Sequence, residues 1–279
     1  MQFLRQVALV SEVNQISASE LSRVAAALQK QAARDFAPIW EVQATVDAFA
    51  RLEDVPLGYW PMIVMKDIGF PGAAGIHLDK DGQPFALIQY SNRWALTASH
   101  ECLEMLADPF GNRVVAGPSL HPDQGRVEYL VEVCDPSEDM AFGYTVNGVL
   151  MSDFYTPAYF DPVASAGVRY SFTGAITQPR EVLKGGYISW HEPVSDHWWQ
   201  QTFFGAQPTF RDLGRLTSVA GSIRATIDAL TEHPVLVTDA PLDDPRFSAA
   251  AEAMIRADAS TESKAVAWRV QISALLGPQ

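Results

Sequence analysis

The segment Thr97-Ala98-Ser99-His100-Glu101-Cys102-Leu103-Glu104-Met105-Leu106-Ala107-Asp108-Pro109 concentrates the groups of this chain best suited to chemistry. Read as a buried helix of about 3.6 residues per turn, it stacks His100, Glu104 and Asp108 in one row at i, i+4 and i+8. Leu103, Met105 and Leu106 turn elsewhere and supply core contacts. An imidazole and a carboxylate four residues apart on a helix reach one metal ion, and a catalytic zinc typically takes three protein ligands and an open position for water. His100 and Glu104 provide two. The third must come from downstream, and the acid-rich Glu132-Val133-Cys134-Asp135-Pro136, after the strand-like or helical run Val127 to Val131, is the best-placed source. Asp108-Pro109 also reads as a helix exit, since proline disfavours helical backbone at the residue before it.

The elements that must position this row are legible upstream. Phe3 to Val13 reads as a strand, and Ser17-Ala18-Ser19-Glu20 as a capping box that opens a helix to about Phe36, with Leu21, Val24, Ala25, Leu28 and Ala32 on one face and Pro38 stopping it. Trp40 to Val46 alternates like a strand, Trp60 to Lys66 gives another, and Ala74 to Leu78 a short one before the turn Asp79-Lys80-Asp81-Gly82. Phe85 to Tyr90 is the last strand before the His100 helix. From Gly111 to about Phe160 the chain is loop-rich. Glu181-Val182-Leu183 and Tyr187-Ile188-Ser189 read as a hairpin across Lys184-Gly185-Gly186, and Arg211 to Thr231 as one helix. Pro234, Pro241 and Pro245 mark a linker to a helical appendage, giving a main domain over 1–232 and an appendage over 233–279. The fold class expected is α+β: a mixed sheet with an active-site helix, a loop-rich half and a helical C-terminal appendage.

Composition narrows the partners. Asp and Glu outnumber Lys and Arg by 33 to 20, for a formal charge of −13. That argues against nucleic acid and anionic lipid, which need a positive surface to release counterions. No apolar run is long enough for a membrane span, and the N-terminus lacks the basic flank and apolar stretch of a signal peptide. Two cysteines in 279 residues suggest a reducing compartment rather than a disulfide framework, so a cytoplasmic setting is expected.

Glu101 directly follows His100, as the catalytic glutamate does in the zinc-peptidase pattern H-E-x-x-H, here with Glu104 in place of the second histidine. The order strand, helix, strands, helix resembles the upper half of zincin metallopeptidases. His-Glu-x-x-Glu-x-x-x-Asp-Pro followed by Glu132-Val133-Cys134-Asp135 is similar to a zincin-like group that includes the bacterial relatives of plant Exordium, or phosphate-induced, proteins. The resemblance spans about residues 60–190 and is strong at those two motifs. It implies zinc held by His100, Glu104 and Glu132, with Asp108 and Asp135 steadying those ligands and Glu101 as general base. It further implies hydrolysis of a peptide or protein substrate. The edge strand would pair with that substrate, a role that falls to Phe85 to Tyr90, with Phe85, Leu87 and Ile88 along it and His77 lining the cleft. Tyr155, or Tyr159, would stabilise the oxyanion, as a tyrosine does in many zincins. Cys134 stands where glycine is more usual in that group.

Two carboxylates and one imidazole neutralise a zinc dication. Its water is then less acidified than the pKa of about 7 reached in efficient zinc hydrolases, and oxygen-rich ligation also admits manganese or calcium. A surface this acidic favours substrates that are neutral or basic near the scissile bond. The alternative is a non-catalytic zincin-like module for peptide binding or assembly. Cys102 and Cys134 read as small buried hydrophobes. Trp190, His191, His197, Trp198 and Trp199 read as a buried aromatic patch rather than a binding surface.

Overall fold

Alternating apolar residues build the first sheet and fix which of its edges is open. The computed structural model describes residues 4–217 and 221–231. Strands β1 (Arg5–Ser11), β2 (Ala44–Phe49), β3 (Trp60–Met65), β4 (Gly75–Lys80) and β5 (Gln83–Gln89) form a five-stranded sheet in the order β2-β1-β3-β5-β4. All run parallel except β4, which lies antiparallel along β5. Val7, Leu9, Met62, Val64, Ala86 and Ile88 turn to the face that carries the helices. Ala8, Val10, Ile63, Phe85 and Leu87 turn to the other face, beneath Leu52, Val55 and Ile68. Each aliphatic side chain buried in this way contributes roughly 1.5–3 kcal/mol.

Phe85 to Tyr90 is therefore not the edge. Strand β5 is hydrogen-bonded on one side to β3 and on the other to β4, and Phe85, Leu87 and Ile88 are buried core residues with no free backbone edge to offer a substrate. Asp81 and Gly82 take positive φ of 54° and 81°, a two-residue hairpin turn that lays β4 along β5, and the pairing of β5 with β3 leaves β4 outside. A proline at Leu87 or Ile88 would break an interior ladder, not a docking edge.

Helix α1 (Ala18–Lys30) starts where the capping box places it, with Ser17 Oγ accepting the Glu20 N–H at 3.1 Å. It does not stop at Pro38. A π-helical turn over Gln31–Phe36 leads into α2 (Ala37–Trp40), and Pro38 sits in the first turn of α2, where a missing N–H costs little. Gln31 in the π turn is buried. It donates to Tyr144 Oη and the Ser152 carbonyl and accepts from Ser99 Oγ, tying this helix to α3 (Trp94–Ala107).

The second half holds more strand than its loop-rich sequence suggests. Strands β6 (Val114–Pro118), β7 (Arg126–Leu130), β10 (Tyr187–Glu192), β11 (His197–Thr202) and β12 (Thr209–Gly214) make an antiparallel sheet in the order β12-β11-β10-β7-β6, and β8 (Tyr144–Val146) pairs with β9 (Val149–Met151). The expected hairpin across Lys184-Gly185-Gly186 does not form, because β10 pairs with β11 and β7. Those glycines serve close approach instead. A Cβ on Gly186 would lie 2.5 Å from the Pro136 carbonyl oxygen, so the pair lets this segment press on the turn that carries Asp135. The single helix expected over Arg211 to Thr231 is also replaced. Strand β12 ends at Gly214, and α4 (Ile223–Leu230) begins after Gly221, whose φ is 85°, with Ser222 as its cap. The appendage expected over 233–279 lies outside the described residues. The architecture is α+β, and no helix among the described residues is long and apolar enough to cross a membrane.

Candidate metal centre

Helix α3 is buried along most of its length, so its polar residues must find partners inside the protein. Four of them point in three directions and lock the helix in place. Ser99 faces the Gln31 side chain and donates there at 2.7 Å, while its oxygen accepts the Ser152 N–H. Glu101 faces strand β4 at Gly75, where a Cβ would stand 2.6 Å from Glu101 Oε1, so only glycine admits the carboxylate there. His100 and Glu104 share one face, as the i, i+4 spacing requires, with His100 Nε2 3.2 Å from Glu104 Oε2.

The second motif arrives on the chain leaving β7. The Val131 N–H donates to the Arg113 carbonyl, and the Tyr155 N–H donates to the Val133 carbonyl, which pins the segment from both sides. The Cys134 N–H donates to Glu104 Oε1 at 3.2 Å, and a 3-10 turn over Asp135–Ser137 brings Asp135 Oδ1 to 3.1 Å from His100 Nε2. The two motifs therefore meet. His100 sits beside Asp135, whereas Glu132 lies against Arg224 of α4, which also donates from Nη1 to Glu104 Oε2 at 2.8 Å.

Asp108 has a different place from the one the resemblance implied. It closes α3, its carboxylate accepts the Arg113 N–H at 2.7 Å, and its carbonyl lies 3.1 Å from His77 Nε2. A carbonyl only accepts, so His77 Nε2 donates to it and leaves Nδ1 facing the acids of α3. Nδ1 lies 3.5 Å from Glu101 Oε2 and 3.8 Å from Glu104 Oε2. A backbone carbonyl fixing the second ring nitrogen is the usual arrangement behind a metal-binding histidine. His77 thus stands inside the centre rather than along a substrate cleft.

Several groups of three residues bring ligand atoms within 4.8 Å of one another: His100, Glu104 and Cys134; His77, Glu101 and Glu104; His100, Asp135 and Glu138; Glu104, Glu132 and Asp135. These His, Glu, Asp and Cys side chains could hold a metal ion. Glu104, fully buried, belongs to three of the groups and is their hub. The electrostatics match. Burial alone would raise Glu104, but the charges of His100 and Arg224 outweigh it and hold the carboxyl far below its ordinary range. Burial alone would lower His100, but the Glu104 charge and the contacts with Asp135 and Glu104 hold the ring well above its usual value. Asp135 is pushed well up, first by burial and then by the Glu104 charge.

Buried oxygens around this hub are short of partners. Glu132 Oε1, Ser137 Oγ and Tyr155 Oη meet no hydrogen-bond donor or acceptor among the described residues, and Glu101 Oε2 and Asp135 Oδ1 meet only histidine nitrogens outside hydrogen-bond geometry. Tyr155 is fully buried, stacked on Tyr159 with ring centroids 4.3 Å apart, and its phenol is pushed well up by burial, so it stays protonated. Tyr159 is engaged elsewhere, donating to the Glu181 carbonyl at 3.1 Å.

Trp190 and Trp198 are buried where β10 and β11 pair, while His191 and His197 sit nearer the surface beside Glu128, Asp196 and Asp212. Cys102 and Cys134 are free and buried. Burial pushes the Cys102 thiol up to about 12, and burial followed by the Glu104 charge pushes Cys134 well up. The thiolate is the reactive form. A chromogenic disulfide reagent is therefore expected to label the native protein very slowly and to titrate both thiols at once in denaturant. Fast native labelling would contradict this burial.

Sequence reasoning missed Arg224. Its one signal was an arginine beside the apolar stripe of Ile223 and Ile227 in a chain with an unpaired cluster of acids. No protein-family model matches this chain, and no curated protein and no solved structure matches it.

Proposed function

We propose that this chain is a zincin-like metallopeptidase in which a divalent ion at the His100–Glu104 face of α3 serves hydrolysis of peptide bonds. One observation carries the reading. His100 of α3 meets both Glu104 and Asp135, and Glu104 forms a buried group of ligand atoms with Glu132 and Asp135 from the segment after β7, with Glu101 on the neighbouring face of the same helix. The strand order, with an antiparallel edge strand beside the motif helix, is a second support.

The residues fit an ion. The donor set is imidazole with carboxylates, which suits zinc or manganese, and the partner-poor oxygens of Glu132 and Asp135 belong to that group. His100, Glu104 and Asp135 would hold it, with Glu132 as a further donor once Arg224 is elsewhere. A bound ion supplies Lewis acidity to a carbonyl oxygen and lowers the pKa of water. Glu101 takes the proton of the attacking water and returns it to the leaving amine. Tyr155, held protonated, has a hydroxyl free to donate. Strand β4, not β5, offers the edge along which an extended substrate adds as a further strand, and Glu101 packs against that strand at Gly75. Two buried free thiols agree with a reducing compartment, and the cytoplasm is the setting we favour.

Elemental analysis of the purified protein tests this reading. We expect about one zinc or manganese per chain, lost on chelation and regained on dialysis against the metal. His100→Ala is expected to lose it outright. Protein that holds no metal and takes up none on addition would overturn the proposal. The second reading, a non-catalytic peptide-binding or assembly module, is favoured by Arg224, whose guanidinium already neutralises Glu104 and Glu132.

A further inference from the structure

Arg224 enters this cluster from the far end of the described chain, 120 residues after Glu104. It is 5% exposed, an unusual depth for a guanidinium, and the side chains its guanidinium meets belong to the proposed centre or to its own helix. Nη1 donates to Glu104 Oε2 at 2.8 Å, touches Glu132 Oε2 and lies 3.5 Å from His77 Nδ1, while Nε bonds Asp228 Oδ2 one turn along at 3.1 Å. A metal at Glu104 and Glu132 and this guanidinium need the same oxygens.

The helix that delivers Arg224 has a small anchorage. Ser222 Oγ accepts the Ala225 N–H at 3.0 Å, the Asn112 side chain accepts the Ile223 N–H at 2.9 Å, and the Gly111 carbonyl accepts the Arg224 N–H at 3.0 Å. Ile227 is the one residue of α4 buried in an apolar cluster, with Leu130 and Trp198. Apart from its own cap, the described contacts that hold α4 are the Asn112 and Gly111 hydrogen bonds, the buried Ile227 with Ile223 and Ala225 packed beside it, and the Arg224 pairs themselves, so its apolar hold is small and a metal at Glu104 would have to displace those pairs.

We infer that α4 is an internal occupant of the centre: its Arg224 competes with the divalent ion for Glu104 and Glu132, so the site loads fully only when α4 leaves. This rests on the metal reading above and adds regulation to it. The apparent affinity for metal is reduced by the fraction of chains in which the site is open, and removing the occupant recovers it. The carboxylates are never left bare, since guanidinium or metal covers them in either state.

Zinc titration of the full chain, by calorimetry or against a chromogenic chelator, tests this with two variants. Arg224→Met removes the competing cation. Ile227→Asp undocks α4 while leaving every pocket residue in place, and it carries the test if Arg224→Met fails to fold. Both are expected to bind zinc roughly tenfold or more tightly than wild type. In wild type, zinc should speed hydrogen exchange over residues 223–230. Equal zinc affinity in all folded proteins, or unchanged exchange over α4 with zinc bound, overturns the inference and leaves the metal reading standing. No zinc uptake by wild type or either variant overturns both.

Discussion

Glu101→Gln is expected to bind the metal as tightly as wild type and to hydrolyse peptides about 10²–10⁴-fold more slowly, the usual contribution of a positioned general base. The substitution changes charge and proton affinity while keeping the shape of the side chain. Shape matters here because Glu101 is 3% exposed and fills the space that Gly75 leaves on β4. An amide in that slot keeps the packing against Thr97 and Gly75 but cannot take a proton from water. The same variant separates the available roles. Full metal content with lost hydrolysis supports a base, as the zincin-like reading requires. Loss of metal would instead make Glu101 a ligand together with His77 and Glu104, which lie within reach of one another. Unchanged hydrolysis would place the measured cleavage elsewhere, and the binding-module reading would then account for the centre. The variant should be assayed after metal loading, so that occupancy of the site by Arg224 does not pass for a catalytic defect.

Local chemistry was legible in the sequence, and long-range placement was not. The Ser17 cap, the Asp81-Gly82 turn and the α3 helix each depend on residues within a few positions of one another, so spacing alone exposes them. The meeting of the two acid motifs was readable as chemistry, since a helix carrying His100 and Glu104 needs further ligands. Which acid faces the imidazole depends on the turn at Asp135–Ser137, and that turn is set by Gly186 pressing on the Pro136 carbonyl from another part of the chain. The edge strand was misplaced for a related reason. Strand β5 is a near-continuous apolar run whereas β4 mixes Ile76 and Leu78 with His77, Asp79 and Lys80, but which of the two lies outside is decided by the long-range pairing of β5 with β3. His77 was read as lining a cleft, and its place beside Glu101 and Glu104 was hidden because it is set by a carbonyl at the end of a helix 31 residues away. Arg224 lies further still, and the helix expected over Arg211 to Thr231 hid the break at Gly221 that frees α4 to turn inward.

Glu104→Ala is expected to be the most destabilising single change in the protein. Glu104 is fully buried and accepts from Arg224 Nη1 and the Cys134 N–H, and it pairs with His100 Nε2. Alanine leaves a buried guanidinium and imidazole without their shared counter-charge and a backbone N–H without an acceptor. Breaking a buried pair in this way costs about 3–5 kcal/mol, which for a domain of this size lowers the melting temperature by roughly 6–20 °C. The exposed pair Arg51–Asp54 is the control, since surface ion pairs contribute little and Asp54→Ala should leave the melting temperature unchanged. Glu104→Gln keeps an acceptor oxygen but not the charge and should fall between wild type and Glu104→Ala. A double-mutant cycle then assigns the loss to its source. If the cost is the stranded charge of Arg224, Glu104→Ala combined with Arg224→Met is less destabilised than the sum of the two single changes. Additive losses would mean that Glu104 and Arg224 are structurally independent. Melting of Glu104→Ala at the wild-type temperature would mean that the carboxylate is not the hub of this core, and the arrangement of His100, Asp135 and Glu132 around it would have to be abandoned.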